Sequence, residues 1–535
     1  MIRFLFLLLN SVLFFLIPPI ETKTPPPNIV WLVAEDQSPD FFPMYGDNTA
    51  ALPYLSSLAE DGVVFSNAYA PVPVCAPSRS ALITGMYPTS LGTHNMRTYN
   101  AYKKDNQPEI GIPSYSPVVP ENVRMFTEYL RAAGYYCTNN SKEDYNFKAL
   151  VSAWDESSPK AHWKKRPKDA PFFAVFNFGI THESQIWKQA DQPLLTAPEE
   201  VTVPPIFPDN EVIRKDLAIN YSNLQRMDVQ IGKIIEQLKA DGLYENTIIF
   251  FYGDHGGPFP RHKRALYETG IKVPLIVKFE GNKDAGTRNS DFISFIDYAP
   301  TVLSLAGIEP PKVMQGKAAF GPYENPEKRE FIYTSSDRYD EVVDRLRAIR
   351  YSKFKYIRNF NPEITNALPN KYREQMAMMK NLNKLWEAGE LEPNAAKWFQ
   401  TPKPSEELYN IEEDPYELNN LADDLALQDT LHFLRNKLDE WIIKTNDLGE
   451  IPEKELVQHF LQNQEARVLD AITAEIKEDV VTLKSSQNDA TLVYQSSSDS
   501  VWKIYTNPLQ VSENFRAKAV RIGFKDSPVF THKTP

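Results

Sequence analysis

Residues 28–36 read Asn-Ile-Val-Trp-Leu-Val-Ala-Glu-Asp: a β-rich, almost wholly apolar run that ends on two consecutive acids. Apolar residues at nearly every position, rather than at alternate ones, mark a strand buried on both faces, as in a parallel sheet. Similar runs recur at Tyr135–Thr138, Phe172–Ile180 (FFAVFNFGI), Thr247–Tyr252 (TIIFFY) and Val273–Phe279 (VPLIVKF). Helical stretches lie between them, at Val123–Ala133, Asp216–Ala240 and around Tyr298–Leu305. This alternation predicts an α/β fold built on an open, mostly parallel sheet covered by helices on both faces. Ligands of such sheets gather at the carboxyl ends of the strands.

Composition narrows the function. The chain has 535 residues with 70 acids against 58 bases, a net charge of -12 that argues against a general nucleic-acid binder. An anionic substrate remains compatible, because a local basic pocket can sit in an acidic protein. Hydrophobic residues at 42% and charged ones at 24%, with a mean hydropathy of -0.42, describe a soluble globular protein. Two cysteines, Cys75 and Cys137, are too few for a disulfide framework. Met-Ile-Arg, the apolar run Phe4–Ile17 and the Pro18-Pro19 break read as a secretory signal over residues 1–24. The expected location is therefore outside the cytoplasm: periplasmic, outer-surface or secreted. No later segment reaches the roughly 18 uninterrupted apolar residues of a membrane span.

Polar residues cluster at the predicted strand ends. The first strand runs into Glu35-Asp36, and Thr247–Tyr252 runs after Gly253 into Asp254-His255-Gly256-Gly257. Phe172–Ile180 delivers His182, and Tyr135–Thr138 delivers Lys142. Consecutive carboxylates at a buried strand end repel each other unless a cation sits between them. Each acid alone reads as a cap of the following turn. Two pairs at equivalent strand ends favour an oxygen-rich site for a hard divalent cation such as Ca²⁺.

Cys75-Ala76-Pro77-Ser78-Arg79-Ser80-Ala81-Leu82-Ile83-Thr84-Gly85 is the most specific stretch. It sets a small nucleophile in a Pro-bounded loop before a helix expected from near Ser78. Helix amides and Arg79 together make a seat for a tetrahedral oxyanion. Position 78 is serine, so the second cysteine of a zinc deaminase is missing.

The pattern Cys75-x-Pro77-Ser78-Arg79-x-x-Leu82-x-Thr84-Gly85 resembles the signature of the type I, formylglycine-dependent sulfatases. The resemblance extends to Asn28–Asp36, Asp254–Gly257, Lys263-x-x-Leu266-Tyr267-Glu268-x-Gly270, Asp297–Gly307 and the Glu407–Asn410 and Asp414–Asn419 motifs. It implies an alkaline-phosphatase-like fold: a large catalytic sheet domain over 25–325 and a smaller antiparallel α+β subdomain over 326–450. A β-rich tail over 475–535, like a small β-sandwich, is expected beyond them.

The resemblance also assigns roles. Cys75 is oxidised by a maturation enzyme, formylglycine-generating or anaerobic, to formylglycine (3-oxoalanine), whose hydrate attacks sulfur in line. Expulsion of sulfate then restores the aldehyde. Glu35, Asp36, Asp254 and His255 match the metal positions, with Ca²⁺ the usual occupant. Aspartate is normal at the first of these, so Glu35 is longer by one methylene. Arg79, Lys142 and Lys263 match positions that hold sulfate oxygens, where charge spreads in the transition state. His182 matches the histidine that protonates the departing alcohol.

One departure stands out, because the family's histidine shortly after the lysine is absent from Lys142-Glu143-Asp144-Tyr145. Asp144 or His94 is the substitute, and both are expected to touch substrate. Of two basic stretches, Lys160–Lys168 and Arg261–Arg264, the first reads as a solvated loop or as a steering patch for a polyanion, with Trp163 and Trp187 as core residues or sugar platforms. The expected activity is hydrolysis of a sulfate ester on a sulfated glycan. The rivals are a phosphonate or phosphodiester hydrolase of the same superfamily and a catalytically silent glycan binder.

Overall fold

The computed structural model describes residues 26–99, 111–510 and 513–533. The leader expected over residues 1–24 lies outside the described residues. The strands β1 (Asn28–Ala34), β2 (Val63–Tyr69), β3 (Tyr136–Asn140), β4 (Glu156–Ser157), β5 (Phe172–Phe178), β6 (Thr247–Gly253), β7 (Lys272–Lys278), β8 (Thr287–Asn289) and β9 (Ile293–Ser294) form one sheet. Their order is β4-β3-β5-β1-β6-β7-β2-β8, with β9 on β2. β1 therefore lies inside the sheet, paired in parallel with β5 and β6 along its whole length.

Successive residues of β1 point to opposite faces, and both faces are buried. Val30, Leu32 and Ala34 join one apolar core, while Ile29, Trp31 and Val33 join a second. Trp31 sits among the rings of Phe126, Phe173, Phe250, Tyr252 and Tyr298. With no solvent-facing side, the strand has room for polar residues only at its end.

The mostly parallel α/β sheet agrees with the sequence, but two features differ. The run at 273–279, grouped by composition with the parallel strands, becomes β7, which is antiparallel to both β6 and β2. Burial on both faces sets its composition, and composition carries no direction. β2 was not foreseen: its apolar run is broken by Ser66-Asn67, where the register with β7 shifts between Phe65 and Ala68.

The helices that matter are α1 (Cys75–Thr84), α2 (Phe126–Ala132), α3 (Glu211–Ala240) and α4 (Gln428–Lys444). α3 starts five residues before the expected Asp216, because Asn210 caps it by accepting the Ile213 N–H at 3.1 Å.

The strands β10 (Phe331–Ser336), β11 (Leu346–Tyr351), β12 (Phe354–Asn359) and β13 (Glu406–Asn410) form the smaller antiparallel sheet. Leu431, Leu434, Leu438 and Trp441 of α4 pack on it in a cluster that also includes Ala81 of α1 and Tyr87. The smaller subdomain is thereby seated on the back of the cysteine-bearing helix.

The tail begins with a strand at Thr473–Lys477 and forms a three-stranded and a four-stranded antiparallel sheet. It packs on α2: Arg131 donates to the Trp502 carbonyl at 2.7 Å, and Val493, Val520 and Ile522 enter the Trp31 core. Among the described residues, no helix is long and apolar enough to cross a membrane.

Asp216 of α3 accepts the Met378 N–H at 2.7 Å and so ties the long helix to the helix Ala377–Ala388. Burial raises its carboxyl to about 7. A carboxyl raised in the folded state is protonated there while its unfolded counterpart is ionised, so stability falls as pH rises from about 4 through 7. Asp216→Asn is expected to raise the melting temperature at pH 8 and to change it little at pH 4. A pH-independent effect in thermal melts would overturn this assignment.

Candidate active site

The carboxyl ends of β1, β3, β5 and β6 converge on the first turn of α1. Cys75 is the first residue of that helix, not a loop residue ahead of a helix starting near Ser78, and it is fully buried. Ser78 Oγ donates to the Asp254 carbonyl at 2.6 Å, which locks the helix start to the end of β6. Asp36 takes a left-handed backbone, φ +53°, unusual for a non-glycine residue and typical of sites held by their surroundings. The close backbone packing after Asp254-His255 requires glycine: a Cβ on Gly256 would lie 2.1 Å from the Thr269 carbonyl oxygen.

Asp36, Cys75, Asp254 and His255 offer ligand atoms within 4.8 Å of one another, all buried. The Asp36 N–H donates to Asp254 Oδ1 at 3.0 Å, and His255 Nε2 lies 3.1 Å from Asp36 Oδ1 and 3.3 Å from Cys75 Sγ. His255 Nδ1 lies 3.0 Å from the Gly256 carbonyl, which leaves Nε2 facing the carboxylates as a ligand would. Burial alone would lower the His255 pKa, but Asp254 and Asp36 outweigh it and raise it to about 10. The cluster thus draws positive charge to one point, and its two carboxylates with one imidazole fit a divalent cation. Glu35 is engaged elsewhere: its Oε2 accepts from Lys142 Nζ at 2.8 Å. Burial pushes its carboxyl up, yet Lys142 and its neighbours hold it below the ordinary value.

Three bases complete the ring. Arg79 Nε donates to Asp254 Oδ2 at 3.1 Å, and its Nη1 donates to Asn177 Oδ1 at 2.7 Å. Lys263 Nζ lies 2.8 Å from Asp36 Oδ2, 3.1 Å from Glu183 Oε1 and 3.3 Å from His182 Nε2. His182 Nδ1 lies 3.0 Å from Ser184 Oγ and 3.2 Å from the Ser184 backbone nitrogen, which orients the ring with Nε2 beside Lys263. Burial would push the Cys75 thiol up, but Lys142 and Lys263 bring it down to about 6. Cys137, remote from these bases, is pushed well up by burial and reads as a core residue.

The two residues offered in place of the missing histidine separate. His94 is buried, and its charge acts on Asp447 of the smaller subdomain. Among the described residues no hydrogen bond joins it to Cys75 or its partners. Asp144 takes φ +50° and acts electrostatically on Arg97, whose charge is felt in turn by Cys75. Trp163 is fully buried against Phe172 and Phe176, and so is core. Trp187 packs edge-on at 5.2 Å against Tyr372, whose ring lies 6.4 Å from His182. In the basic stretch, Lys164 and Lys165 are taken up by Asp241 and Glu156.

Sequence reasoning missed Asn177, Glu183 and Arg264. Arg264 forks onto Glu183 with two bonds of 2.9 Å and so holds the acid that flanks Lys263. Asn177 had a signal, as a lone amide inside the apolar run FFAVFNFGI. Glu183 stands next to His182 with no further mark, and Arg264 showed only as the end of the basic stretch Arg261–Arg264.

Removing one member of a buried ionic cluster leaves its partner uncompensated, at roughly 3–5 kcal/mol. Lys263 and Asp36 are 1% and 0% exposed, whereas Lys142 is 22% exposed. Lys263→Met is therefore expected to destabilise the unmodified, metal-free protein more than Lys142→Met does. Chemical unfolding in chelator checks this, and the reverse order would contradict the charge balance described.

The comparisons with known proteins give the family. A family model described as Sulfatase matches residues 27–308, and one described as N-sulphoglucosamine sulphohydrolase, C-terminal, matches residues 253–388. An ulvan-active sulfatase of Formosa agariphila is 41% identical, over 95% of this chain and 91% of its own length. Human N-sulphoglucosamine sulphohydrolase is 25% identical, over 79% of this chain and 91% of its own. In fold, the chain resembles a protein solved with its substrate D-glucosamine-2-N,6-O-disulfate, with a TM-score of 0.57 and 17% identity, covering 80% of this chain and 100% of that one. It also resembles a 2-O GAG sulfatase, with a TM-score of 0.55 and 18% identity, covering 82% and 94%. A buried cysteine heading a helix, ringed by three bases, three carboxylates and an imidazole, thus belongs to a member of the sulfatase family: the chain is a sulfatase.

Proposed function

We propose that this sulfatase removes sulfate from a sulfated carbohydrate, with residue 75 acting as formylglycine. The observation that carries the reading is the setting of Cys75 itself. It heads α1, is buried, and lies under the combined field of Lys142 and Lys263. The name of the 41%-identical relative, an ulvan-active sulfatase, supports a glycan as substrate. Maturation by a formylglycine-generating or anaerobic enzyme, and action outside the cytoplasm after export by the expected leader, complete the proposal.

The modified residue supplies the oxygen nucleophile toward sulfur. Asp36, Asp254 and His255, with Glu35 at their side, would hold the divalent cation, here read as Ca²⁺, which would stabilise negative charge on a sulfate oxygen. The chain's own residues do the rest. Arg79, fixed by Asp254 and Asn177, presents its guanidinium to the sulfate oxygens. Lys142 and Lys263 add point charges where the transition state gathers its negative charge. His182, oriented by Ser184 with its Nε2 beside Lys263, gives a proton to the departing sugar oxygen. Burial of the ring of charges excludes water and strengthens each of these interactions.

Mass spectrometry of the peptide across Cys75, on protein from its native host, is expected to find the aldehyde in place of the thiol. A fully unmodified thiol would overturn the proposed nucleophile. In matured protein, Arg79→Gln is expected to lower kcat/KM on a sulfated oligosaccharide by about 10²–10³-fold. Asn177→Ala, which frees only one arm of Arg79, is expected to lower it about tenfold. Equal losses would mean that Asn177 acts directly rather than through Arg79.

A further inference from the structure

The basic groups of the site are spoken for, with one exception. Arg79 pairs with Asp254 at 3.0 Å, Lys142 with Glu35 at 2.8 Å, Lys263 with Asp36 at 2.8 Å and Arg264 with Glu183 at 2.9 Å. Arg97 is half-buried, yet among the described residues no carboxylate or carbonyl takes a hydrogen bond from its guanidinium. Two acids act on it without pairing, Asp144 and Asp340. Asp340 is already engaged, by Arg264 at 3.2 Å and by the Asn370 amide at 2.7 Å.

The position of Arg97 is built rather than incidental. Its backbone is left-handed, φ +57°, and so are those of Asp144 and Asp340, both at +50°. Such conformations in residues other than glycine persist where the surroundings over-determine them, and they gather at ligand sites. Here the surroundings are specific. The preceding Met96 N–H donates to the Arg338 carbonyl at 2.8 Å, and Arg338 is itself forked onto Glu453. The following Thr98 donates its N–H to Asn146 Oδ1 at 3.2 Å and its hydroxyl to the Asn146 carbonyl at 2.8 Å. Both flanks of Arg97 are thus fastened, and among the described residues the side chain between them has no hydrogen-bond partner.

Location gives this group a purpose. The charges that Arg97 feels include those of Cys75 and Tyr372, and Tyr372 adjoins the ring of His182. Met96, the residue before Arg97, packs in one apolar cluster with Cys75, which brings Arg97 to the edge of the site, and among the described residues Arg97 pairs with none of the strand-end carboxylates that hold Arg79, Lys142 and Lys263. A guanidinium offers a planar fork of donors that matches a carboxylate or sulfate with two hydrogen bonds. We infer that Arg97 binds a second anionic group of the substrate, a carboxylate or a further sulfate close to the sulfate that is cleaved. This makes it a specificity-determining residue for doubly anionic sugars. The inference rests on the sulfatase reading.

The test uses matched substrates and matured full-length protein. One pair is a sulfated uronosyl disaccharide and its methyl ester; the other is glucosamine 2-N,6-O-disulfate and glucosamine 6-O-sulfate. Wild type is expected to favour the doubly anionic member of at least one pair by about 10–100-fold in kcat/KM, with the difference mainly in KM. The pair that responds tells carboxylate from sulfate. Arg97→Gln is expected to bring that ratio to within about threefold of one, and Arg97→Lys to leave it between the two, because charge survives without the fork. Thermal melts of each variant confirm folding.

Calorimetric binding of the same ligands to Cys75→Ala protein, with and without Arg97→Gln, reads the preference without turnover. If neither pair is discriminated, in rate or in binding, or if the ratio survives Arg97→Gln, the Arg97 assignment is wrong. If no sulfate ester is cleaved by matured wild type while binding still discriminates through Arg97, the hydrolytic reading fails and the anion subsite stands.

Discussion

The active end of this protein is governed by one electrostatic constraint: carboxylates held in a buried place must be answered by positive charge. β1 and β6 lie side by side in the interior of the sheet, and each runs into acids that solvent does not reach. Lys142, Lys263 and Arg79 answer Glu35, Asp36 and Asp254 one for one, at distances of 2.8, 2.8 and 3.0 Å. Two of the three pairs have a further partner, since Lys263 also touches Glu183 and Arg79 also touches Asn177. A charged site of this kind holds its shape through mutual neutralisation, and the same field that stabilises it lowers the Cys75 thiol. Stability and chemistry here have a single source.

The smaller subdomain is bound into the same logic from behind. Its helix α4 and sheet share an apolar cluster with Ala81 of α1, so the helix that presents Cys75 is packed by residues more than three hundred positions further along the chain. Arg261 extends the link, donating to the carbonyls of Tyr416 and Glu417 from the loop that carries Lys263. The tail braces α2, which shares the Trp31 core with Leu82 and Ile83 of α1. The site is therefore assembled from segments distributed along most of the sequence, and no short stretch of it encloses a complete pocket.

Much of this was legible in the sequence, for definite reasons. Strands buried on both faces announce themselves as unbroken apolar runs, so the interior strands and the polar residues at their ends could be read directly. The strand order, the antiparallel direction of β7 and the existence of β2 could not. Direction leaves no trace in composition, and Ser66-Asn67 interrupts the pattern of β2. The residues around Cys75 were found because motif and strand end coincide. Glu183, Arg264 and Arg97 escaped because a charged residue beside a recognised one looks the same in sequence whether it faces the pocket or the solvent. His94 shows the converse, since proximity in sequence to the nucleophile helix led instead toward Asp447.

The complete burial of Cys75 has a consequence for the timing of the modification proposed for it. The groups that enclose it come from Asp254, His255 and Lys263, so while the chain is being synthesised they emerge long after residue 75. At about 5–20 residues per second, the thiol remains uncovered for on the order of ten seconds or more. An enzyme that is to act on this cysteine therefore meets an extended peptide and competes with folding, because the finished sheet admits nothing as large as a protein. Yield of the matured form would then be a race between two rates. Conditions that hasten folding relative to modification would fill the cell with well-folded, inert copies.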